Sequence, residues 1–162
     1  MKTTETILTE LGACLEAVKW ARRKTPERAW EMCKRGDWLL WIAGRLGVDR
    51  KLFVLVACAC ARTSLKFVLK GEDRPRIAIE TAEAWTRDEA TIEQVQETTA
   101  AAHAAHAVHA AHAGYAASSP VYAANAAFAA HAVGQKQMAD IVRGIIPFSV
   151  IRKAVAEYEE EK

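Results

Sequence analysis

The chain has 162 residues, enough for one domain with a core of its own. Its 22 basic and 20 acidic side chains are interspersed and leave a formal net charge of +2. That balance argues against a nucleic-acid mimic and against a strongly basic nucleic-acid binder. The longest unbroken apolar run, Leu52 to Ala61, is about half of the ~20 residues a bilayer span requires. The opening MKTTETILTE lacks the apolar core and cleavage site of a signal peptide. A cytoplasmic protein with no membrane partner is expected, in the host cytoplasm for a phage-encoded chain.

A first helix is expected over Thr6 to Lys24, with Ile7, Leu8, Leu11, Leu15, Val18 and Trp20 at spacings of three and four. Thr25 and Pro26 open a second, capped and started by residues suited to those places. Gly36 ends it, and Asp37 is expected to cap a third that stops at Gly47. Asp49 caps a fourth, running to Lys70 and apolar nearly all round at its centre, which predicts burial. A fifth begins near Asp73, and Thr91 with Gln94 forms a capping box for a sixth. The sixth runs into a stretch, Thr98 to Val133, in which about half the residues are alanine. A seventh helix is expected from Pro120 to about Arg143, and Pro147 opens a last one.

No β-alternation survives this reading. The expected fold is all-α, a single-domain bundle of about eight helices. Residues 1–97 supply its N-terminal helices, 98–144 an alanine-rich antiparallel hairpin and 145–162 a C-terminal helix. Alanine loses no side-chain entropy on entering a helix. Its small methyl also lets two helix axes approach more closely than the usual ~8–10 Å. Ser118-Ser119-Pro120 reads as the turn between the two arms, with Ala105 and Ala127 facing each other; a single helix kinked at Pro120 is the alternative. Alanine strips left on the outside could pair two copies into a homodimer.

Several phrases, taken together, carry a resemblance. AWEMCKRGDWLLW at 29–41, VACACAR at 56–62, GEDRPRIAIETAEAW at 71–85, the alanine-rich arm and ADIVRGIIP at 139–147 resemble, in that order, a small helical family. It is the alanine-rich family called immunity proteins in bacteriophage and bacterial genomes. The resemblance spans roughly residues 11 to 147, and it implies a role in conflict between phage and bacterium. The implied activity is to bind and neutralise a partner, either a protein toxin or a component of a defence system. The family's arm commonly carries Trp, Tyr, His or charged residues; here the bulky residues are mostly His.

Two sets of side chains could carry chemistry. His103, His106, His109 and His112 step by three, and each step falls about 60° short of a full turn, so the row winds around the helix. With the turn at Ser118-Ser119, His131 folds back near His106, and paired imidazoles on adjoining helices suit zinc. No acidic or cysteine ligand lies in that stretch, so edge histidines that respond to pH are the simpler reading. The second set is Arg45, Arg62, Arg74 and Arg76, with Asp37, Glu80, Glu83, Asp140 and Arg143. Charges in such apolar company are usually paired, which makes a network tying the fourth, fifth and seventh helices. In that network Arg62 would be mostly buried. Alternatively these arginines, walled by Trp38, Trp41 and Trp85, form a pocket for a nucleotide-like anion. Cys14, Cys33, Cys58 and Cys60 all sit in helical patterns and read as buried small hydrophobes. No Gly-x-Ser-x-Gly, Walker loop, dinucleotide fingerprint or His-Glu-x-x-His occurs, so a non-enzymatic protein without a cofactor is expected.

Overall fold

A computed structural model describes residues 2–104, 108–118, 125–126 and 133–161. Among the described residues the fold is all-α, with ten α-helices, one short 3-10 turn and no strand. We number the helices α1 (Thr4–Glu10), α2 (Leu15–Ala21), α3 (Pro26–Met32), α4 (Gly36–Arg45), α5 (Arg50–Arg62), α6 (Arg74–Thr86), α7 (Ile92–Ala104), α8 (Val108–Ser118), α9 (Gln135–Ile145) and α10 (Phe148–Glu160).

Two of the expected helices differ in extent for local reasons. The expected first helix is split into α1 and α2 at Gly12, whose φ of +82° is left-handed and costs a residue without Cβ nothing. The fourth stops at Arg62 rather than Lys70. There the Thr63 hydroxyl donates to the Cys60 carbonyl (2.6 Å) and the Ser64 hydroxyl to that of Ala61 (2.7 Å), competing with helix propagation. The chain then passes through the 3-10 turn Leu65–Phe67.

Several caps match expectation. The Thr25 hydroxyl accepts from the Arg28 amide, and Asp49 accepts from that of Lys51. In the capping box the Thr91 amide donates to Gln94 (2.8 Å) and the Gln94 amide to Thr91 (3.3 Å). Asp37 lies inside α4 instead of capping it; the cap position is Arg35.

Phe53, Val54, Val56, Leu40, Ile79, Met138 and Val142 are fully buried in one continuous core. The alanine-rich sequence fills its middle. α8 packs against α5, α6 and α7, and Ala110, Ala111, Ala113, Ala116 and Ala117 are all buried. A helix covered on three sides has no room for large side chains, and alanine supplies apolar surface on every face. α7 and α8 approach closely at Gly114, where an added Cβ would clash with the Thr99 hydroxyl.

Three residues separate α7 from α8, and Thr99 meets Gly114, so the two helices run antiparallel. The first alanine-rich helix, expected to be continuous, is therefore two helices folded on each other. Over α8 the alanine strip expected to pair two copies is already covered within the chain. Of the hairpin turn expected at Ser118-Ser119-Pro120, Ser118 is the last residue of α8, while Ser119, Pro120 and the pair Ala105 and Ala127 lie outside the described residues.

Candidate functional site

The arginine and tryptophan candidates separate into two groups. Arg62, at the end of α5, donates in two parallel bonds to Glu83 of α6 (2.8 and 2.6 Å). Its partner is one of those expected, but its side chain is 41% exposed, which corrects the expectation of burial. An arginine's long stem lets the head reach water from a buried helix. Arg74 is bonded to Glu72, and Arg76 to Asp73 (3.1 Å) and Glu80 (3.0 Å), all at the exposed start of α6. Trp85 is half-buried against the core. These charges form local pairs rather than one network across three helices, and exposed pairs contribute little to stability.

Trp38, Trp41 and Arg45 come together elsewhere. They line a cavity of about 770 Å³ enclosed by α1, α2, α3, α4 and α10. Four of the chain's five tryptophans face it, since Trp20 and Trp30 complete the set. Ile7, Leu8, Leu39, Ile151 and Val155 make most of the remaining wall apolar. Trp20 meets Trp38 edge-on, with ring centres 6.1 Å apart, and the Arg35 guanidinium lies 4.7 Å over the Trp38 ring. Those contacts fix the indole's orientation.

Polar groups in the wall are few and mostly committed. Asp37 accepts two bonds from Arg35 (2.9 and 2.7 Å), and the Thr4 hydroxyl donates to the Lys24 carbonyl (2.6 Å). Arg45 and the Trp30 indole are among the uncommitted groups. Arg45 is an exposed lining residue and makes no ion pair among the described residues. Trp30 is only 4% exposed, yet its indole N–H has no acceptor among them. A buried donor left unmade costs about 1–3 kcal/mol.

The pairing with Arg35 holds the Asp37 carboxyl below the usual carboxylate range, against the opposing effect of partial burial. A lowered folded pKa contributes stability that is complete above the unfolded value. It is lost as pH falls through the folded one. Asp37→Asn should therefore remove part of the fall in melting temperature expected below about pH 4, while leaving the neutral-pH curve shape alone. An unchanged acid limb would show that the pair adds nothing.

Among the cysteines, burial pushes Cys33 up, Cys58 far up and Cys60 up to about 12, so those thiols stay protonated. Cys14 was expected to be buried and is exposed, on the cavity's edge at the start of α2. Its place after the break at Gly12 puts it on a helix end rather than within a buried face. Native protein should take up one iodoacetamide, at Cys14, with the other three reacting only on unfolding. Mass spectrometry of the alkylated protein reads this, and a second native adduct would contradict the burial of α5 or α3.

His103 is exposed on α7, whereas His112 sits on α8, where its Nδ1 lies 3.3 Å from Asn125 Oδ1. The row is thus divided between two helices. His106, the side chain of His109, and His131 lie outside the described residues. Among the described residues no group of three or more His, Cys, Asp or Glu is placed to hold a metal, and no helix is long and apolar enough to cross a membrane.

Trp38, Trp41 and Arg45 are candidates from sequence alone, whereas Trp20, Trp30, Ile7 and Leu8 join them only in the folded chain. One signal was available: four tryptophans fall within residues 20–41. Compared with family models, characterised proteins and solved structures, the chain matches none of them.

Proposed function

We propose that the chain is a non-enzymatic binding protein of phage–bacterium conflict that acts by sequestering a small molecule. The observation that carries this is the cavity on which Trp38, Trp41 and Arg45 converge. Its volume, about 770 Å³, lies within the ~300–1,000 Å³ of small-molecule sites, and its mostly apolar wall with a few polar groups is typical of them. The setting in conflict rests on the resemblance to phage and bacterial immunity proteins. An anionic immune signal with an apolar or aromatic body is one ligand of this kind, with indole to pack on the body and arginine to meet the charge.

A second reading, neutralisation of a protein toxin or a defence component, is favoured by a different observation. Leu15, Met32 and Trp41 are exposed on α2, α3 and α4, the helices around the same cavity. Expression of the chain in bacteria that carry a phage-defence system tests the proposal. Phage plating should rise, a small molecule should be released on denaturing the purified protein, and Arg45→Met should lower both. Restored plating with no released molecule moves the reading to the protein partner; no effect on plating removes the conflict role.

A further inference from the structure

We infer that the cavity takes an amphipathic monoanion, a molecule with an apolar body and a single carboxylate at one end. This rests on the proposal that the cavity is a small-molecule site and names the ligand it selects. The wall's chemistry sets the body: Trp20, Trp38, Leu8, Leu39, Ile151 and Val155 offer mostly apolar and aromatic surface, with too few polar groups to replace the water around a sugar or a polyphosphate. Burying a polar group there without a partner is unfavourable, so a ribose would lose its water unrewarded.

The charges set the head. Asp37 is the carboxylate in the wall, and its two bonds from Arg35 neutralise it. That leaves Arg45 as the cation among the lining residues, exposed and with no ion pair among the described residues. One guanidinium matches one carboxylate in a two-bond fork. A phosphate dianion would need further donors.

The same chemistry can come from an aliphatic acid or from an aromatic one, and the probes separate them. Four tryptophans in the wall make intrinsic fluorescence a direct readout. Full-length protein is titrated with decanoate, indole-3-acetate, decan-1-ol and AMP, with Cys14 alkylation followed in parallel. Direct calorimetry replaces fluorescence for indole-3-acetate, which itself emits.

At least one carboxylate should bind saturably, one molecule per chain, about tenfold or more tighter than decan-1-ol, and should slow alkylation of Cys14. Binding by decanoate alone assigns an aliphatic body, by indole-3-acetate alone an aromatic one. Arg45→Met, at an exposed position, should bring the carboxylate down to the alcohol's affinity and leave decan-1-ol unchanged; its melting temperature confirms the fold. Equal binding of acid and alcohol, or a preference that survives Arg45→Met, overturns the inference. AMP saturating where the carboxylates do not overturns the ligand class and leaves the cavity as a site. If none of the four binds, the cavity is not a small-molecule site, and both readings fall.

Discussion

Gly114→Ala is expected to destabilise the protein by about 3 kcal/mol, or roughly 6–12 °C in melting temperature. The added Cβ would lie 1.8 Å from Thr99 Oγ1, 3.0 Å from its Cβ and 3.2 Å from its Cγ2. Turning the hydroxyl away relieves the first contact, but the other two are set by the spacing of α7 and α8. Neither helix can retreat freely, because α8 also packs on α5 and α6. Overpacking in so close a contact shifts backbone as well as side chain.

The control is Thr99→Ala in the same chain. Thr99 is 1% exposed and its hydroxyl has no partner among the described residues, so its removal deletes a cost rather than a bond. The double variant should recover much of the loss but not all of it, since Thr99→Ala removes Oγ1 and Cγ2 while the 3.0 Å contact with its Cβ remains. Thermal melts of the two single variants and the double one complete the cycle. A neutral Gly114→Ala would mean that α7 and α8 do not touch there.

This contact also shows where the sequence is legible and where it is not. Alanine's abundance predicts close helix packing, and Gly114 against Thr99 is such a contact. Its location was not readable, because a run of alanines has no amphipathic face to mark one neighbour from another. Caps were readable for the opposite reason: Thr25, Asp49 and the Thr91–Gln94 box bond to amides two or three residues away, so local sequence decides them. Helix ends set by a glycine or a hydroxyl, at Gly12 and at Thr63-Ser64, were readable in principle but compete with strong apolar periodicity.

The candidate site divides along the same line. Trp38, Trp41 and Arg45 occupy one helix, and their three- and four-residue spacings put them within reach of one another. The cavity they line needs α1, α2, α3 and α10 as well, and Ile151 is more than a hundred residues from Trp38 in sequence. Pairing among the arginines was foreseen and its pattern was not. Arg62 finds Glu83 across two helices, while Arg74 and Arg76 bond to close neighbours in the chain.

Arg143→Met is expected to cost about 2–3 kcal/mol and to disturb the cavity without touching it. Arg143 lies on α9 with its side chain 22% exposed. Its Nη1 donates to the backbone carbonyl of Cys33 (2.7 Å) and to that of Trp30 (3.3 Å), and its Nη2 to Asp140 (2.6 Å). The two carbonyls lie at the C-terminal end of α3, where the last helix oxygens have no partner within the helix and the dipole favours a cation. Trp30 and Cys33 also belong to the cavity wall. Arg143 is therefore a positioning residue, holding that wall from the opposite side.

Removing the guanidinium leaves two acceptors to find water and frees the end of α3. The tryptophan emission should then shift to longer wavelength in native protein, before any unfolding. Arg143→Lys keeps the charge but replaces the fork with a single ammonium head, so it should fall between wild type and Met. Asp140→Asn separates the surface ion pair from the carbonyl bonds: Asp140 is 60% exposed, and its loss should cost under about 1 kcal/mol with emission unchanged. Denaturant melts and emission spectra of the three variants decide the matter. If Arg143→Met matches Asp140→Asn in both, the carbonyl bonds contribute nothing and α3 is held by packing alone.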